Sequence, residues 1–296
     1  MDPTSARQVR SQITVSWLLA ALLSPLAAPA AKTDVGWADL VELAADLISL
    51  RRTPMEEDVP QFGPEAVQQR EAKLRKLRCQ LTEIDPNDWS VAGKVDYLLV
   101  WARANELDFE HRVTRPWQRD PIFYLDLVRR QPYVELPSAT LAAALRAVPT
   151  ILEQAQSNLT QPNGELADLA LFHLENFDGV GQGQPYHDHP PAGTIGWYAD
   201  LCDRVQQVQP EDSSSCSQAR HAVEEFRDWL RTQRPTMPSS AGIGTENLDW
   251  YFRKVRLLPF GVDEIVLLGR REFDRYRVAF EIVRNRNQNL PELELT

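Results

Sequence analysis

From Trp37 onward the apolar residues recur every three or four positions, the spacing of a helix with one buried face. Trp37, Leu40, Val41, Ala44, Leu47 and Ile48 make the first such stripe. Val67, Leu74, Leu77, Leu81 and Ile84 make the second, entered through Pro64, whose fixed φ suits a first helical turn. Asp85-Pro86 then reads as a cap and first residue for a helix burying Trp89, Val95, Leu98, Leu99, Ala102 and Phe109, and Asp120-Pro121 repeats that start before Phe123 and Leu127. Ser138 opens an Ala- and Leu-rich segment in which Pro149 lacks a donor, so the spacing predicts a kink or two helices across 139–158. Further helices are expected at about 165–177, 194–208, 214–232, 246–257 and 262–286. No alternating run flanked by turn signals appears. The fold expected is all-α, an irregular array of about nine or ten helices with no significant sheet.

The chain has 296 residues, enough for one large domain or two ordinary ones, and a net charge of −10. An acidic balance with an ordinary apolar share gives no footprint for a polyphosphate backbone, so nucleic acid is not expected as a partner. The most basic stretch, Val262–Arg286, carries its own acids: Asp274 lies in helical reach of Arg270 and Arg277, and Glu281 of Arg277 and Arg284. This reads as a solvated face opposite a buried one made by Val262, Ile265, Val266, Phe273, Tyr276, Phe280 and Val283.

Residues 1–30 have the build of a secretory signal peptide. Arg7 and Arg10 precede an apolar run of about 16 residues, short for a spanning helix, that closes on the small-residue pattern Ala28-Pro29-Ala30. Cleavage is preferred over an uncleaved anchor, which leaves 31–296 as a helical domain, secreted or periplasmic, with no membrane attachment. In an oxidising compartment Cys202 and Cys216 could close a short loop, leaving Cys79 over; three separate small buried side chains are the alternative.

Motifs of catalysis are sparse. His187-Asp188-His189 could share a metal, but a Pro- and Gly-rich stretch, Gly179 to Gly193, holds it, and a surface loop is the simpler reading. His173 is not followed by the spacing of H-E-x-x-H, and G-x-S-x-G is absent from the sequence. Asn158-Leu159-Thr160 fits the N-glycosylation pattern.

The segment Gly242-Ile243-Gly244-Thr245-Glu246-Asn247-Leu248-Asp249-Trp250-Tyr251, with Val255-Arg256-Leu257-Leu258-Pro259, resembles the signature of the bacterial "domain of unknown function 885" family. Leu268-Gly269-Arg270-Arg271-Glu272-Phe273-Asp274-Arg275, Arg284-Asn285-Arg286-Asn287 and Leu290-Pro291 continue the likeness in order and spacing. The resemblance implies an exported helical protein similar to zinc metallopeptidases, with a peptide substrate in a full-length form. In that family the metal-binding helix lies beyond the part this chain matches. The resemblance therefore implies an N-terminal half, without catalytic or metal-ligating residues and with no cofactor of its own, inactive alone. Gly244, Asn247, Trp250, Tyr251 and Arg256 would line the cleft, or else act as packing and cap residues. The other expectation is a self-sufficient exported helical binding or scaffold protein. A half-domain should leave a large apolar patch on its last two helices, and a complete one should not. Oligomeric state has no signature in the sequence.

Overall fold

The computed structural model describes residues 36–56, 59–176, 186 and 190–291. The signal-peptide segment 1–30 and the His187-Asp188-His189 motif lie outside them. The fold is all-α: α1 (Trp37–Arg51), α2 (Pro64–Glu83), α3 (Val91–Phe109), α4 (Pro121–Val128), α5 (Leu141–Asn158), α6 (Gly164–Glu175), α7 (Gly193–Val208), α8 (Ser213–Gln233), α9 (Thr245–Lys254) and α10 (Val262–Asn287). A single helical turn at Pro116–Arg119 precedes α4. The sheet among the described residues is one antiparallel ladder between β1 (Met55–Glu56) and β2 (Val59–Pro60), pairing Met55 with Pro60 and Glu56 with Val59.

Two apolar clusters organise the chain. In the first, Leu40, Leu43 and Leu47 of α1 meet Leu74, Leu77 and Leu81 of α2 and Ala104 and Leu107 of α3, with Trp89 closing one end. The second fills the space between α4 and α8. There Leu145, Val148 and Leu152 of α5 pack on Val223, Phe226 and Leu230 of α8, with Leu174 of α6 and Tyr198 and Leu201 of α7. The buried phenols have somewhere to donate: Tyr124 to the Trp117 carbonyl and Tyr198 to that of Val128, each at 2.8 Å. Desolvation holds both hydroxyls protonated, well above the usual phenol range.

Helix starts follow side-chain chemistry. Ser90 caps α3 by accepting from Gly93 N, Asp120 caps α4 from Ile122 N, and Asn163 caps α6 from Glu165 N and Leu166 N. The expected start at Asp85-Pro86 is therefore displaced: Asp85 closes a turn by accepting from Asn87 N, and α3 begins at Val91.

Four other expectations change. The face of α3 is the expected one only in part: Ala102 and Phe109 are buried as expected, but Val95, Leu98 and Leu99 are exposed, and Ala104, Asn105 and Leu107 are buried in their place. Val41 and Ile48 of α1 are exposed too, and Leu43 takes their place. Of the two outcomes expected at Pro149, a division into two helices is not seen: α5 is continuous through it, and burial of the neighbouring Val148, Ile151 and Leu152 offsets the missing bond, a defect of about 3 kcal/mol. The largest change concerns α10, where the expected buried face is open. Phe273, Tyr276 and Phe280 are 67, 66 and 61% exposed, and neither α9 nor α10 buries a residue. The charged side is as expected in kind, with Arg277 near Asp274 at 3.7 Å, Arg284 near Glu281 at 3.2 Å and Arg275 paired to Glu272 at 2.5 Å.

Candidate functional site

The residues named for a cleft gather where α9 leans on the end of α3. Gly244 precedes α9 with φ +80°, a left-handed conformation that a side chain would strain, and so turns the chain into the helix. Asn247 donates from Nδ2 to the Ile243 carbonyl at 2.8 Å and fixes that turn. Trp250 stacks on Phe109 with ring centroids 5.7 Å apart, Tyr251 meets the same ring at 5.0 Å, and the Arg112 guanidinium lies 4.9 Å over Trp250. Buried Asn105 of α3 donates to the Lys254 carbonyl at 3.2 Å, while the Lys254 ammonium lies 5.3 Å over Trp101. Beyond α9, the amide of Arg256 bonds back to the Tyr251 carbonyl at 3.0 Å. Leu257 follows in the left-handed region, at φ 53°. Gly261 lies so close to Asp249 that a Cβ would come 2.9 Å from its carboxylate, which accepts from Val262 N at 2.6 Å and so anchors the start of α10.

Two open cavities flank Trp250. The larger, about 400 Å³, runs between α2, α3 and α9 past Cys79, Trp101, Asn105 and Lys254; the smaller, about 370 Å³, is lined by Arg78, Asp108, Arg112, Glu246 and Asn247. The structure thus brings Asn247 and Trp250 to cavity walls. Tyr251 packs on Phe109 instead, Gly244 shapes the turn, and Arg256 is at the helix exit; none of the three lines either cavity. Asp108 pairs with Arg78 and lies 3.6 Å from Arg112, so one carboxylate serves two guanidiniums. An aromatic wall among partly neutralised cations suits holding a planar or anionic group. The larger cavity holds the thiol of Cys79 with no His, Asp or Glu in its lining, and the smaller holds two carboxylates, Asp108 and Glu246.

Periodicity missed a second polar cluster. At the end of α3 the helix widens into a π turn, Glu110–Thr114, closed by Arg115 N donating to the Glu110 carbonyl at 2.8 Å, with Arg115 left-handed behind it. The turn aims Glu110 and His111 inward. Burial raises the Glu110 carboxyl and the neighbouring Glu106 raises it further, against the pull of Arg51, Arg70 and Arg103. Burial and the nearby Arg70 charge hold the His111 imidazole, which packs on Trp117 at 4.9 Å, below its ordinary value. The one signal available in the sequence was a run of charge, Glu110-His111-Arg112, placed directly after apolar Phe109 where the helix pattern stops.

Cys202 of α7 and Cys216 of α8 are joined as a disulfide with Cα atoms 5.5 Å apart, inside the ordinary span of such a bridge. Cys79 is a free, exposed thiol. Asn158 terminates α5 with its Nδ2 shut away from solvent, so the nitrogen that a glycan would need is inaccessible in the folded chain. Among the described residues no group of three His, Cys, Asp or Glu is placed to hold a metal ion, and no helix is long and apolar enough to cross a membrane. Compared with known protein families, curated proteins and solved structures, the chain matches none.

Proposed function

We propose that this chain is the N-terminal helical portion of an exported protein resembling zinc-dependent peptidases, a wall of the substrate cleft that is inactive alone. The observation that carries this reading is the bare apolar stripe of α10. A helix of 26 residues presents Val266, Phe273, Tyr276, Phe280 and Val283 at steps of three, four and seven, and all five are exposed. Monomeric soluble proteins rarely leave so long an apolar stripe uncovered, which supports further polypeptide packing there. The described residues do not fit the zinc ion that the resemblance implies, so the metal ligands of this reading lie outside them. Peptide would meet the Trp250 wall only in the full-length form. Export rests on the leader-like residues 1–30.

The second reading, a self-sufficient exported scaffold or binding protein, draws support from the closed core between α4 and α8, where Phe226 and Tyr198 are fully buried. One set of measurements on the purified chain separates the two. The first reading expects concentration-dependent association in sedimentation velocity, bright binding of an apolar dye, no stoichiometric zinc after dialysis and no peptide cleavage. A dye-silent monomer that unfolds in one cooperative step would overturn it in favour of the scaffold. Retained zinc or cleavage by this chain would overturn the assignment of chemistry elsewhere.

A further inference from the structure

On the opposite side of α2 from Trp250, a separate cleft of about 490 Å³ opens between α1 and α2. Its charged lining is Arg52, Arg70, Lys73 and Lys76 with Glu42 and Asp46, and among the described residues no ion pair joins any of the six. The cleft is thus locally cationic in a chain whose net charge is −10. Arg70 sets it apart from an ordinary solvated groove. The side chain is only 8% exposed, yet of five guanidinium donors it uses one, Nη2 to the Leu50 carbonyl at 3.3 Å, and its buried Nε has no partner. Glu110 acts on it through space without forming an ion pair. A guanidinium taken out of water with so few bonds is costly, and an anion arriving in the cleft would offset that cost through charge-assisted bonds.

We propose that the cleft between α1 and α2 binds a compact molecule through one oxyanion group, carboxylate or phosphate. Arg70 is its fork at the floor, and Lys73 and Lys76 are its neutralising walls. Glu42 and Asp46 limit the choice, because a second anionic group reaching along α1 would meet like charge. The ligand therefore carries one oxyanion and an uncharged or cationic remainder. This site shares no residue with the α9–α10 surface and stands or falls independently of the reading given for it.

The test uses the full chain, titrated with inorganic phosphate and with acetate while backbone amide shifts are followed by NMR, and chloride at equal ionic strength as reference. Saturable shifts confined to residues around 49–52 and 69–77 are expected. Lys73→Gln with Lys76→Gln, both exposed positions, should weaken binding by about tenfold. Arg70→Lys, which keeps the charge and loses the fork, should weaken it at least as much. Saturation by acetate alone identifies a carboxylate site, and by phosphate alone a phosphate site; either supports the proposal. Shifts that never saturate, that chloride reproduces, or that are indifferent to the Lys73/Lys76 double variant would overturn it, whether or not the Arg70 variant folds.

Discussion

Glu110 and His111 occupy neighbouring positions on one widened turn, and burial moves both away from ordinary titration in a way that makes stability depend on pH. His111 is depressed from 6.5, so between that value and its lower native one the folded chain binds fewer protons than the unfolded chain. Its contribution is complete above pH 6.5 and is lost as pH falls through the native value. Glu110 has the opposite sign: its carboxyl is raised, so stability is fullest below the ordinary 4.5 and declines as pH rises through the native value. Between neutral pH and about 5 the two groups pull in opposite directions, so the His111 part is read as a difference: the urea midpoint of His111→Gln should gain on that of the parent as pH falls. An equal slope in the variant would show that the imidazole is not held neutral. Neither residue could be picked out by periodicity, because a π turn inserts one residue and rotates everything after it. By contrast the packing-and-cap role offered as the alternative for Gly244 is the one it plays, turning the chain into α9, while Asn247 both bonds back to that turn and lines a cavity.

Helices were legible wherever one face was apolar and the other charged. In α2, Leu74, Leu77 and Leu81 stand against Lys73, Arg75, Lys76 and Glu83, and their burial follows the spacing. In α3 the run Val95-Asp96-Tyr97-Leu98-Leu99-Val100-Trp101 is apolar nearly all round, so spacing alone could not choose the buried side. Packing with α1 and α2 chose it, and put the small Ala104 and the polar Asn105 inside. The join between α7 and α8 is covalent as well as packed. Reducing the Cys202–Cys216 bridge, or replacing both by Ala, should lower the unfolding free energy by about 3 kcal/mol, the loop-closure value for a separation of 14 residues. An unchanged denaturation midpoint under reductant would count against that estimate. The join between α3 and α9 is aromatic. Trp250→Ala removes the stack on Phe109 and the seat of Arg112, so amide hydrogen exchange should quicken throughout 245–287 while α5 and α8 keep their protection. Uniform acceleration would mean that α9 is integral to the core instead of docked on it.

Across the whole molecule each helix from α1 to α8 buries part of its apolar surface, though Val95, Leu98 and Leu99 of α3 stay open, whereas the last helix buries none. The heptad-like spacing along α10 was readable, but the sequence could not say that the stripe is bare among the described residues, since a stripe looks the same covered or bare. Charges placed on it should therefore cost little folding energy and much association: Phe273→Glu with Phe280→Glu is expected to leave the thermal midpoint within a few degrees and to shift sedimentation towards the monomer. A large drop in midpoint would show that these rings are buried in solution. α9 is the element that α10 packs against, through Asp249 at the first amide of the helix and Arg253 near Glu264 at 3.9 Å. Fastened at its beginning, a helix of 26 residues is a lever roughly 39 Å long. A rotation of roughly 10° at its start would sweep the tip through roughly 7 Å, so Phe280 and Val283 sit where a small change in the seat of α9 would be magnified.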